Sequence, residues 1–117
     1  MKYFPLLLLT FISINAFSQQ QIKLEEIKDH VGDSVTIHAK IYGGKYLPSV
    51  KGAPTFLNVG GNYPDAPLTL VIWGNARSKL KNAPEDFYKD KNVVIYGKLV
   101  LYKEKPEIVI SDPKQIE

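Results

Sequence analysis

From Ser34 the chain alternates with a period of two, Val35, Ile37, Ala39 and Ile41 on one side and Thr36, His38, Lys40 and Tyr42 on the other. That pattern predicts a half-buried strand, ended by Gly43-Gly44. Upstream, Leu24, Ile27 and Val31 recur three and four apart, with Glu25 and Glu26 early and Gly32 behind the last apolar position. This spacing predicts a short amphipathic helix stopped by glycine. The stretch KYLPSVKGAP keeps no period and holds Pro48, Gly52 and Pro54, so it reads as a loop. In TFLNV, Leu57 and Val59 share one face, and Phe56 and Asn58 share the other. After the turn GGNYPDAP, the run LTLVIWG directs Leu68, Leu70 and Ile72 to the core and Thr69, Val71 and Trp73 away from it.

The alternation stops between Asn75 and Lys91, where Pro84 in a first-turn position with Glu85 and Asp86 behind it predicts one or two helical turns. NVVIYGKLVLYK then reads as a long strand interrupted by Gly97, a bulge or a barrel corner, and KEKP turns it into a last strand, EIVISDP. The predicted order is helix, three strands, short helix, two strands. An all-β domain built this way is a five-stranded OB-fold, a Greek-key β-barrel with a short helix between strands 3 and 4 and a short N-terminal helix. A five-stranded sandwich shows the same alternation and is the alternative.

Composition narrows the setting. With 117 residues, 44% of them apolar and 23% charged, the chain is the size of one globular domain. Its first eighteen residues, MKYFPLLLLTFISINAFS, pass from a basic start through an apolar run to small residues at Ala16 and Ser18. That is the pattern of a secretory signal peptide over residues 1–18. A retained membrane anchor, the other reading, needs an uninterrupted run of ~20 apolar residues, which this segment lacks. The expected mature chain, 19–117, is a domain exported to the periplasm or the medium, with no membrane attachment after cleavage. There is no cysteine, which suits an oxidising compartment and excludes a disulfide framework and a thiolate nucleophile. The formal charge is +3, and Lys2 leaves with the leader. A chain this close to neutral needs a local basic cluster to hold a polyanion.

The segments HVGDSVTIHAKIYG, TFLNVGG, LTLVIWG and FYKDKNVVIYGKLVLYKEKPEIVISDPKQI carry a family likeness, strongest from Gly97 to Ile116. Over Val31 to Ile116 the chain resembles bacterial OB-fold nucleic-acid-binding domains of the anticodon-binding type, as in small exported OB modules, some of which accompany secreted nucleases. The resemblance implies a module for single-stranded nucleic acid, DNA or RNA, with an exported nuclease or another exported protein as a further partner; a monomer is expected. It also implies that Phe56 stacks on a base and that Asn58 hydrogen-bonds a base edge.

The residues add a candidate surface of their own. Lys40, Tyr42, Phe56, Asn58 and Trp73 would share the outward face, flanked by Lys45, Tyr46 and Lys51 in one loop and by Tyr102, Lys103 and Lys105 at the last turn. Flat aromatics offer base stacking, and lysines neutralise phosphates. Burial of Trp73 and Tyr42 under the N-terminal helix is the packing alternative. Chemistry for turnover is thin. The two histidines, His30 and His38, sit on different elements, so neither a metal site nor any cofactor is expected. No G-x-S-x-G occurs, and Gly43-Gly44-Lys45 lacks both the leading glycine and the following Ser/Thr of a phosphate loop. The chain is therefore read as a non-enzyme. An exported OB domain binding a small molecule, a glycan or a protein partner is the alternative function.

Overall fold

The computed structural model describes residues 20–117; the expected leader lies outside them. The described chain is mostly β, a curled sheet with a few short helices. In order come β1 (Gln20–Ile22), a 3-10 helix (Leu24–His30), β2 (Ser34–Tyr46), β3 (Thr55–Val59) and β4 (Leu68–Ile72). Two single-turn helices follow, α1 (Gly74–Arg77) and α2 (Pro84–Phe87), then β5 (Asn92–Lys98), β6 (Val100–Tyr102), β7 (Lys105–Val109) and a 3-10 turn, Pro113–Gln115.

β2 is the spine. At 13 residues it is long enough to serve two neighbours: Ser34–Lys40 pairs antiparallel with β5, and Ile41–Tyr46 pairs antiparallel with β3. β3 pairs antiparallel with β4, β4 pairs parallel with β7, and β7 pairs antiparallel with β6. Only Leu99 separates β6 from β5, so the path of pairings returns to the stretch of chain from which it set out. The short β1 adds a parallel partner for Val35–Ile37.

The alternation decides what lies inside. Val35, Ile37, Ile41, Leu57, Val59, Leu68, Leu70 and Ile72 form the core with Ile95, Leu99, Ile108 and Ile110. The 3-10 helix closes one end with Ile27, and its first turn is fastened by the Glu26 carboxylate, which accepts from the Lys23 N–H at 2.8 Å.

Three elements differ from the sequence expectation. β1 is an addition, because three residues are too few to show a period. The predicted fourth strand is divided at Leu99, whose N–H donates to the Asp33 carbonyl and whose carbonyl accepts from Gly32. Its backbone thus bonds to the loop before β2. Gly97 remains within β5, where a Cβ would come 2.5 Å from Ile108 Cγ2; this is a close approach of two strands rather than a break. Seven strands therefore stand where five were expected.

The most consequential difference is a bulge. Ile41 opposes Val59 and Gly43 opposes Asn58, so Tyr42 is one residue too many on β2. The extra residue inverts the face of everything after it.

Candidate functional site

Residues directly opposite one another in a sheet share a face. The pairings therefore give the outward surface row by row. One row is Lys45, Phe56, Val71 and Val109, and the next is Gly43, Asn58, Thr69 and Glu107. Over these rows lies a groove of about 480 Å³ lined by Gly44, Lys45, Leu47, Phe56, Asn58, Tyr63, Thr69 and Glu107. It continues past Tyr63 into a smaller hollow of about 220 Å³, where Asn58 and Thr69 meet Pro64, Ala66, Pro67, Lys105 and Pro106.

Each wall has a local cause. Gly44 lets β2 close on β3: a Cβ there would collide with the Phe56 carbonyl oxygen and come 2.6 Å from Leu57 Cδ2. Phe56 and Asn58 face outward because Leu57 and Val59 are fully buried on the other side. Tyr63, 80% exposed, stands on the β3–β4 loop. That loop is held by a turn in which Asp65 N–H donates to the Asn62 carbonyl at 2.8 Å, and by Gly60 packing against Leu24 and Pro67. Lys103 and Glu104, both at positive φ, make the two-residue turn that joins β6 to β7. That turn places Tyr102 opposite Lys105, and Lys103 Nζ lies 5.4 Å from the centre of the Tyr102 ring.

Of the residues expected at the surface, Lys45, Phe56, Asn58 and Lys105 meet in the groove and its extension, with Tyr102 and Lys103 beside Lys105. Five do not join them. Lys40 and Tyr42 sit at the bulge, with Lys40 opposite Asn92 and its Nζ 4.8 Å from the Tyr42 ring centre. Tyr46, after the bulge, pairs with buried Thr55, and Arg77 stacks on its ring at 3.5 Å. Trp73 is 42% exposed but lies against Gly52, where a Cβ would come 2.8 Å from its ring; neither it nor exposed Lys51 of the same loop lines the groove. The N-terminal 3-10 helix packs its Leu24 toward Gly60, while of the two rings for which it is the alternative cover, Trp73 rests on Gly52 and Tyr42 lies under Lys40. Val71 faces outward as expected yet is only 2% exposed, flanked in register by Phe56 and Val109.

Tyr63, Leu47, Thr69 and Glu107 complete the groove. Two of them were legible: Thr69 alternates with Leu68 and Leu70, and Glu107 precedes inward Ile108. Tyr63 and Leu47 sit in irregular loops, where periodicity carries no information.

The electrostatics of the groove are mixed. Lys45 and Lys105 stand toward its two ends. Between them the Glu107 carboxyl makes no hydrogen bond or ion pair among the described residues, and partial burial holds it above the usual glutamate range. Arg77, the single arginine, is spent elsewhere: it donates to both Glu85 carboxylate oxygens, at 2.6 and 3.3 Å, and to Thr55 Oγ1 at 2.8 Å. His30 lies 3.1 Å from the Asp33 carboxylate, and His38 is exposed on β2. Among the described residues no three His, Cys, Asp or Glu side chains group as metal ligands.

The fold has a counterpart among solved structures. The chain is similar to part of a putative aspartyl-tRNA synthetase from Leishmania major Friedlin, with a TM-score of 0.50 and 14% identity over 86% of this chain. It spans 21% of that protein's length. At such identity the likeness speaks for the fold. No family model and no curated protein matches the chain.

Proposed function

We propose that this domain is an exported, non-catalytic OB-fold module that holds single-stranded nucleic acid across the outward face of β2, β3, β4 and β7. The observation that carries the reading is the groove, where Phe56, Asn58 and Tyr63 converge with a lysine toward either end. The OB assignment is supported by a first long strand shared between two partners, a parallel β4–β7 pairing and the helical turns between β4 and β5. In this reading β5 and β6 together are the fourth barrel strand and β7 the fifth, and residues 1–18 are removed on export.

Each side chain then has a task. The Phe56 ring is a platform for a base, the Asn58 amide offers a donor and an acceptor to its edge, and Lys45 and Lys105 neutralise phosphates. Glu107 is chemically selective. An ionised carboxylate accepts hydrogen bonds only, so it favours a base edge carrying an amino group and repels a phosphate placed over it.

The same carboxylate supports the second reading, a small molecule, glycan or protein segment that presents a donor to Glu107. Titration of a fluorescein-labelled single-stranded oligonucleotide at low salt, with a duplex of the same sequence alongside, separates the two. Saturable binding of the single strand, competed by unlabelled single strand and weaker for the duplex, is expected. No binding of the single strand at low salt sinks the nucleic-acid reading.

A further inference from the structure

Tyr63 stands between two hollows. Both the larger, over Phe56, and the smaller, against Pro64, Pro67 and Pro106, are lined by it, and of the three residues they share, Asn58, Tyr63 and Thr69, it is the one that stands on a loop above the sheet rows. We propose that Tyr63 divides the groove into two adjacent base sites, so that the unit bound is a pair of consecutive nucleotides with the Tyr63 ring inserted between their bases. This rests on the single-strand reading above and adds to it a site size and a residue that sets it.

Tyr63 is 80% exposed on a loop held by the Asn62–Asp65 turn, which contains it, and by Gly60 wedged against Leu24 and Pro67 at the loop's base. Its backbone is therefore positioned before any ligand arrives. A tyrosine side chain has two χ angles to fix, so little entropy is lost in using it as a wall.

The two hollows also differ in kind. Phe56 and Glu107 belong to the first, which can stack a base and read its edge. The second offers proline rings and Lys105 beside the Asn58 and Thr69 that it shares with the first, and it lacks both Phe56 and Glu107. The preference that Glu107 sets would accordingly reside in one nucleotide of the pair.

The test compares deoxycytidine 3′,5′-bisphosphate with oligodeoxycytidylates of two, three and six residues by competition against a labelled hexamer at fixed low salt. The bisphosphate carries its charge on a single base, so the first step in length reports the second base. For the wild type, affinity should rise at least tenfold from one base to two and about threefold or less from two to three. Tyr63→Ala should cut the first step to about threefold or less, leaving the bisphosphate within about threefold of wild type. Tyr63→Phe should keep the full step, because the ring and not the hydroxyl separates the bases. A full step in Tyr63→Ala, or a step lost equally in Tyr63→Phe, overturns the proposal while leaving single-strand binding intact. Absence of binding by the wild type at every length overturns the underlying reading and this one with it.

Discussion

Phe56 faces water because its neighbours cannot. Leu57 and Val59 are fully buried, and a strand that buries alternate residues must present the others. Its ring is only partly exposed, beside covered Val71 in the same row. Phe56→Ala should therefore cost stability by about 1–2 kcal/mol, short of the ~3–5 kcal/mol of a fully buried phenylalanine. The same change should weaken single-strand binding by ~1–3 kcal/mol. Thermal melts and oligonucleotide titrations on one preparation give both numbers, and a stability loss without a binding loss would reduce Phe56 to packing. Glu107 carries the opposite balance. Burial raises its folded pKa, so the folded state is most stable with the carboxyl protonated and is penalised as pH rises through that raised value. Glu107→Gln should melt above wild type at pH 7, with the gap closing as the pH falls below the ordinary glutamate range. Melting curves from pH 3 to 8 check the sign.

At the scale of elements, the two helical turns between β4 and β5 are too short to stand alone. They are tied down by one arginine. Arg77 of α1 reaches Glu85 of α2 and Thr55 of β3, and it covers the ring of Tyr46 of β2. The hydrogen bonds from Arg77 hold the Glu85 carboxyl below its usual range. Here the stabilisation is present above the unfolded glutamate pKa and fades as the pH falls through the lowered folded value. Glu85→Gln should thus melt below wild type at pH 7, by the ~1.5–3 kcal/mol typical of a hydrogen bond to a charged group. The gap should close in acid, so Glu85→Gln and Glu107→Gln approach wild type from opposite sides. The same elements show what alternation can and cannot reveal. The core faces of β3 and β4 were legible because each strand keeps one period from end to end. β2 does not. Its bulge at Tyr42 moves Tyr46 to the Thr55 row and Lys45 to the Phe56 row, and a simple count of odd and even positions cannot see an inserted residue. Arg77 as a tie for four elements was equally hidden, since its partners lie 8 and 22 residues away.

For the molecule as a whole, charge decides how a strand would be held. The net charge of the chain is +3 spread over 15 basic and 12 acidic residues, so long-range attraction is slight and the phosphate contacts must be local. The fold brings few lysines to the groove. Lys45 and Lys105 line it and Lys103 sits beside Lys105, whereas Lys40 is turned toward Tyr42 and Lys51 lies with the loop that meets Trp73. Two or three phosphate contacts, each worth ~0.7 in the slope for single strands, give log affinity against log salt a slope between about −1.4 and −2.1. Stacking contributes no such slope, so a weak salt dependence alongside a large Phe56→Ala effect would mean that the aromatics carry the binding. Lys45→Ala and Lys105→Ala should each flatten the slope by about 0.7, while Lys40→Ala should leave it unchanged. Titrations at four salt concentrations on these three variants decide the matter. A slope that Lys40→Ala flattens and Lys45→Ala does not would move the strand to the β2–β5 side of the bulge, away from the groove.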